Sequence, residues 1–269
     1  MVSFLFRFIM SILNDLYYYI EETRDPRTVT WPLTSVYALI TILFCYLYFI
    51  FGCGPRYMKD KPAYNLQTVI RCYNIFQIVV NIMLAKSFFE VDLVKEAWSH
   101  CSPITYFTDP RTMQLVGTLW WAYLLKIFDL VETMFFILRK KNRQVSVLHV
   151  HHHVMAVFLC WLAIRYMPSG IAACSISLNC CVHVIMYTYY FLSSLNQSIQ
   201  RTIRPFKPII TAIQMVQLLV IILYIMMSFV PNCVVPKFLA FVAVANIAIN
   251  FYFFRDFYKK TYSTQKRKN

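Results

Sequence analysis

The sequence predicts an all-α integral membrane protein, and three observations carry that prediction. The 269 residues are 59% hydrophobic and 17% aromatic, with only 14% charged, far from the composition of a soluble domain. The apolar residues fall into runs of about 20, the length that crosses a bilayer as a helix. The remaining basic residues cluster in alternate connections between those runs, as in a chain that marks its cytosolic side. The net charge of +14 is therefore a topology signal, and no nucleic-acid partner is expected. Four glycines leave no room for a Gly-rich phosphate loop or a dinucleotide fingerprint.

The opening segment, MVSFLFRFIMSIL, is a poor signal peptide. Arg7 interrupts its apolar core, acidic residues follow, and no small-residue cleavage site is present. It is expected to be an interfacial helix. Seven spans follow, at about 33–51, 67–90, 115–138, 148–165, 171–192, 209–230 and 236–257, within one membrane domain covering 1–269. The second and third runs carry polar residues, so five or six spans is the competing count. No internal repeat, low-complexity segment or second domain is evident.

Lys and Arg set the orientation. One side receives Arg56, Lys59 and Lys61, then Arg139, Lys140, Lys141 and Arg143, then Arg201, Arg204 and Lys207, then Lys259, Lys260, Lys266, Arg267 and Lys268, 15 in all. The other receives 7, among them Arg24, Arg27, Arg165 and Lys237. The richer side is predicted to be cytosolic, with the N-terminus lumenal and the C-terminus cytosolic. The tail KRKN, with Lys266 fourth from its end, resembles a dilysine-type endoplasmic reticulum retrieval signal.

Ionisable groups inside a span are costly and usually face a cavity or partner. The third run holds Lys126, Asp129, Glu132 and Thr133, within an arc of about 120° on an ideal helix. The fourth opens with LHVHHHVMAVFLCW (148–161). There His149, His152 and His153 follow i, i+3, i+4 spacing and share a face, while His151 points away as a bystander. In the fifth run Asn179, His183 and Tyr187 repeat every four residues. Thr211, Gln214 and Gln217 in the sixth, with Asn246 and Asn250 in the seventh, complete the set. A lone intramembrane amide usually makes an interhelical hydrogen bond. Five spans bringing polar groups inward suggest a polar reaction chamber inside an apolar bundle.

A di-iron site is the sharp rival for HxxHH. With six histidines in all, one of them His100 on the lumenal side, two irons would be short of ligands. A single zinc on three histidines is the remaining metal option. Direct use of imidazole as acyl acceptor and proton carrier is the better reading, with no catalytic metal expected.

Longer stretches then carry a family likeness. DPRTVTWPL (25–33), GPRYMKDKPAYNL (54–66), YN at 73–74, KIFDLVET (126–133) through FILRKKNRQVSVLHVHHH, NCCVHVIMYTYYF (179–191) and TAIQMVQ (211–217) resemble the very-long-chain fatty acid elongases of the ELO family over almost the whole chain. The resemblance implies seven spans, the last six forming a barrel around a blind acyl tunnel in the endoplasmic reticulum membrane. It implies condensation of acyl-CoA with malonyl-CoA to 3-ketoacyl-CoA, CoA and carbon dioxide, the first step of chain elongation, with no permanently bound cofactor. The implied partners are both CoA substrates, membrane lipid, the reductases and dehydratase of the same cycle, and a second copy of the chain.

On that reading His152 is the nucleophile and His183 its partner, with exchanged roles as the alternative. His149 and His153 orient the pair or transfer protons. Lys126, Asp129 and Glu132 balance charge, and Asn179 donates to a developing oxyanion. Arg139, Lys140, Arg143, Arg204 and Lys207 meet the CoA phosphates. The family pattern is K-x-x-E-x-x-D-T, whereas here the acids are exchanged, Asp129 then Glu132. Alternatives are a condensation with histidine as base alone, and a metal or proton transporter built on the same chamber, although no repeats of the transporter kind are seen.

Two marks report topology. The sequon Asn196-Gln197-Ser198 falls in a predicted cytosolic connection and is expected to stay unmodified. Of the nine cysteines, only Cys101 and Cys233 fall in predicted lumenal connections, and these two are expected to be joined.

Overall fold

The computed structural model describes residues 21–91, 106–231, 233 and 235–263. The expected interfacial helix at the N-terminus, Cys101 and most of the basic tail lie outside the described residues. Among the described residues every regular element is helical and no strand occurs.

The long elements are α1 (Val36–Tyr48), α2 (Gln67–Glu90), α3 (Pro110–Asp129), α4 (Val131–Leu138), α5 (Val147–Tyr166), α6 (Gly170–Ser193), α7 (Lys207–Met226) and α8 (Lys237–Tyr258). Caps set several starts: Ser35, Ser146 and Ser169 accept from the amides of Ala38, His149 and Ala172. Asp109 accepts from the Thr112 hydroxyl and the amides of Thr112 and Arg111. These bonds, the Thr112 hydroxyl first, hold its carboxyl below the ordinary value, against a smaller opposing effect of desolvation.

Six helical segments are long and apolar enough to cross a membrane: Val36–Met58, Gln67–Glu90, Val147–Tyr166, Gly170–Ser193, Gln197–Phe229 and Lys237–Tyr262. The chain is a multi-pass membrane protein. The expected third span, 115–138, is helical nearly throughout, as α3 and α4, but Lys126, Asp129 and Glu132 interrupt its apolar run. Exposed Phe44, Phe51, Leu223 and Phe238 are among the side chains available to lipid.

Helix α2 packs on α3 and on α6, α6 on α7, α7 on α8, α8 on α5, and α5 on α3. The Arg71 guanidinium fastens α2 to the end of α6 by donating to the carbonyls of Ser194 and Leu195, at 2.6 and 2.9 Å. Helix α1 continues through a π turn, Phe49–Cys53, into a short helix, Gly54–Met58, which packs against α4. Gly54 permits that approach: a Cβ there would lie 2.6 Å from the Phe49 carbonyl oxygen and 3.3 Å from Ile137.

Residues 25–34 are bound to the far end of α5. Asp25 caps the turn Pro26–Thr28 and pairs with Arg27 at 2.6 Å. The Asp25 amide donates to the Arg165 carbonyl, while Trp161 and Arg165 both donate to the Thr34 carbonyl, each at 2.8 Å. Arg165 also pairs with Glu21. These contacts explain why DPRTVTWPL is so polar beside a span. Of the cysteines, Cys233 is disulfide-bonded, and Cys45, Cys53, Cys72, Cys160, Cys174, Cys180 and Cys181 are free thiols.

Candidate active site

The third run does not stay one straight stripe. Between α3 and α4 the amides of Leu130 and Thr133 bond to carbonyls three residues back, Ile127 and Leu130, tightening the turn. The polar residues then serve two directions. Lys126 and Asp129 reach α2 and α6; Glu132 and Thr133 reach α1 and α5.

The first direction is a buried charge network. Lys126 Nζ lies 3.2 Å from Asp129 Oδ2, and Gln77 Nε2 donates to Asp129 Oδ1 at 2.6 Å. Gln77 is tied in turn to Tyr73 and Asn81. Lys126 Nζ also lies 3.3 Å from His183 Nδ1. A protonated lysine can only donate, so Nδ1 of His183 accepts and the neutral ring carries its proton on Nε2.

The second direction involves the histidine cluster. Because Ser146 caps α5, the four histidines occupy its first two turns. The rings of His149 and His153 lie 4.2 Å apart. His153 Nε2 is 3.6 Å from Glu132 Oε2, and His149 Nε2 is 2.8 Å from the Thr133 hydroxyl. His152 turns elsewhere, toward Phe254, and its ring has no hydrogen-bond partner among the described residues. His151, expected to be a bystander facing away, contacts α8 instead: its Nδ1 lies 3.1 Å from Asn250 Oδ1, and its ring packs on Phe253.

Two pockets share wall residues at this cluster. The larger, about 1290 Å³, is lined by Glu132, His149, His152, His153, Asn179, His183 and Tyr187, and by Arg139, Lys141, Arg143, Arg201, Arg204 and Lys207. The smaller, about 150 Å³, descends between α5, α6, α7 and α8 along Leu159, Ala163, Ile171, Ile221, Ile225 and Leu239 to Met167 and Ser228, with Lys126, Asn246 and Asn250 also on its wall. His152, Asn179, Gln217 and Leu218 line both. His152 thus lies in the wall shared by a basic vestibule and a smaller, mainly apolar pocket, here called the tunnel.

The candidate residues are therefore distributed unevenly. His152, His183, His149, His153, Glu132 and Asn179 line one chamber, Lys126 lines the tunnel, and Asp129 stands behind them. Arg139, Arg143, Arg204 and Lys207 line the vestibule. Lys140 turns aside and donates to the Lys59 carbonyl at 3.3 Å, while Lys141 and Arg201 take up lining positions. The sequence reading passed over Tyr46 and the α2 stripe of Asn74, Gln77 and Asn81, all buried. Its signal was the i, i+3, i+7 spacing of three amides in a span.

Glu132, His149 and His153 also have the composition of a metal site, with ligand atoms within 4.8 Å of one another. His149 Nε2 already shares a hydrogen bond with the Thr133 hydroxyl. An ion would have to bind through Nδ1 or displace that hydroxyl.

The profile of the ELO family, described as the GNS1/SUR4 family, matches residues 31–269. The chain is 30% identical to a very long chain fatty acid elongase of Aedes aegypti, over 97% of this chain and 73% of that protein. It is 34% identical to very long chain fatty acid elongase 4 of Mus musculus, over 94% and 81%. It is 33% identical to very long chain fatty acid elongase 1 of Mus musculus, over 83% and 81%. Because the match runs through the histidine cluster and every helix around it, this chain belongs to the ELO (GNS1/SUR4) family of fatty acid elongases, membrane enzymes of lipid biosynthesis.

Proposed function

We propose that the protein is a 3-ketoacyl-CoA synthase that condenses long-chain acyl-CoA with malonyl-CoA through an acyl-imidazole on His152. The carrying observation is that His152, whose ring has no hydrogen-bond partner among the described residues, lines both the basic vestibule and the apolar tunnel; we read the two as one path. An acyl-CoA has the same polarity sequence: phosphates, thioester, hydrocarbon. Seated with its tail in the tunnel and its CoA in the vestibule, it places its thioester beside His152.

In the first stage a ring nitrogen of His152 attacks the thioester carbonyl. A C–N bond forms, the C–S bond breaks, and the proton lost from the acylated ring goes to the CoA thiolate. In the second, malonyl-CoA loses carbon dioxide and its enolate carbon attacks the acyl carbonyl. The C–N bond breaks and the ring regains a proton, so one proton is consumed per turnover. His183, with hydrogen on Nε2, is suited to donate to the carbonyl oxygen as charge develops. Asn179, on the same wall, is a second donor. Lys126 and Asp129 fix the His183 tautomer, and Glu132 faces His153 to support proton transfer. Arg139, Arg143, Arg204 and Lys207 meet CoA phosphates; Lys140 contributes only at longer range.

The barrel belongs to the same proposal. The packed pairs α2–α6, α6–α7, α7–α8, α8–α5, α5–α3 and α3–α2 return to their starting point, which supports six helices around one lumen with α1 outside. Counting α3 with α4 as a span gives seven. The N-terminus is then lumenal and the vestibule opens to the cytosol, where malonyl-CoA is found, across the endoplasmic reticulum membrane. The test is product analysis in microsomes lacking other elongases, with labelled malonyl-CoA and a panel of acyl-CoAs. A labelled 3-ketoacyl product two carbons longer is expected; its absence for every acyl-CoA overturns the assignment.

A further inference from the structure

We infer that Thr133 is a positioning residue: receiving a hydrogen bond from Tyr46 on α1, its hydroxyl donates to His149 Nε2 and holds that ring as the tautomer with its hydrogen on Nδ1. The Tyr46 hydroxyl lies 2.8 Å from Thr133 Oγ1, and Thr133 Oγ1 lies 2.8 Å from His149 Nε2. Tyr46 is 2% exposed and Thr133 fully buried. Neither hydroxyl has another side-chain or backbone partner among the described residues.

Each hydroxyl has one hydrogen, and this fixes the direction of the chain. If His149 donated from Nε2 to Thr133, the Thr133 hydrogen would have to point to Tyr46. The Tyr46 hydrogen would then be buried with no acceptor. If both His149 and Tyr46 donated to Thr133, the Thr133 hydrogen would be the orphan. Only Tyr46 donating to Thr133, and Thr133 donating to His149 Nε2, satisfies every group. The orphaned arrangements are disfavoured roughly 5- to 150-fold by the cost of an unmade buried hydrogen bond.

The consequence concerns the neighbouring ring. His149 and His153 are 4.2 Å apart, too close to be charged together without repulsion. Glu132 faces His153, whereas His149 meets a hydroxyl and the Phe136 ring. While Thr133 donates to it, Nε2 of His149 cannot accept a second proton. The pair is thereby made unequal: His149 Nε2 is taken by a hydroxyl, whereas His153 Nε2 faces a carboxylate. The effect on turnover rests on the proposed condensation; the tautomer does not.

Nitrogen-15 NMR of histidine-labelled full-length protein in detergent micelles reads the tautomer directly. The His149 signals are identified by their loss in His149→Gln. In the unsubstituted protein His149 should show hydrogen on Nδ1 and a bare Nε2. Thr133→Ser should preserve that pattern, as should Tyr46→Phe, which removes only the donor to Thr133, while Thr133→Val should give a mixture of tautomers. Thr133→Val should also lower kcat on the order of tenfold with KM unchanged, and Thr133→Ser should retain it. Hydrogen on Nε2 of His149 in the unsubstituted protein, or an unchanged pattern in Thr133→Val, would overturn the inference. A correct tautomer without any condensation would instead count against the proposed function alone.

Discussion

Two buried charge clusters lie within the bundle, and they are built for different purposes. Near the C-terminal end of α5, Arg165 is 2% exposed and is used up by protein: the Thr34 carbonyl, Glu21, the Tyr166 hydroxyl and the Trp161 ring. Asp25 and Arg27 complete a knot that ties 25–34 to the bundle. In the other cluster, on α3, Lys126 and Asp129 are as deeply buried, but Lys126 lines the tunnel and touches His183, which lines the chamber. Buried charge alone therefore does not mark a site. The distinguishing feature is whether the network ends on groups that face empty space.

That comparison makes contrasting predictions, the largest first. His183→Ala should reduce condensation about 10²–10⁴-fold, the usual weight of a positioned proton donor, with the protein still accumulating in membranes. Lys126→Met should be inactive as well as unstable, because it leaves Asp129 as a buried, unpaired charge, a loss of about 3–5 kcal/mol. Arg165→Met should also cost stability, though less, because it breaks the bonds to the Thr34 carbonyl and Glu21 while Glu21 is partly exposed and keeps Arg24, seen as a lower unfolding temperature in detergent. Activity per folded molecule should survive. Equal loss of specific activity in both variants would dissolve the distinction between the two clusters.

A finer test uses the exchanged acids. Asp129 is gripped by Gln77 at 2.6 Å and Lys126 at 3.2 Å, so a longer side chain has no room without displacing α2. Asp129→Glu with Glu132→Asp should reduce activity, and Gln77→Ala in that background should restore part of it. Unchanged activity of the double exchange would show that the grip on Asp129 is slack.

The smallest effect belongs to the vestibule. Arg204→Gln should raise KM for acyl-CoA less than about fivefold, as expected for a screened surface charge, and the difference should shrink with added salt. A fall in kcat instead would move Arg204 from substrate capture into the chemistry.

Much of this was legible in sequence because membranes make polar residues conspicuous. Spans, histidine spacing and the Lys126 stripe all stand out against apolar runs, and four long helices lie within a few residues of their expected limits. Three things were not legible. The tightened turn at Leu130 contains no Gly or Pro, so nothing signalled that Asp129 and Glu132 would face different partners. His151 seemed to point away on an isolated helix, but α8 lies on that side and supplies Asn250. Tyr46 sits in an ordinary aromatic run, and its role depends on α4 packing beside it.

The most direct test of the central claim needs one substrate only. Incubation of purified protein with acyl-CoA, without malonyl-CoA, should release up to one CoA per chain and leave the acyl group on His152, detected by intact-mass measurement and peptide mapping. His152→Ala should give neither. No CoA release and no adduct, with condensation intact once malonyl-CoA is added, would contradict the acyl-imidazole and leave histidine acting as a base alone.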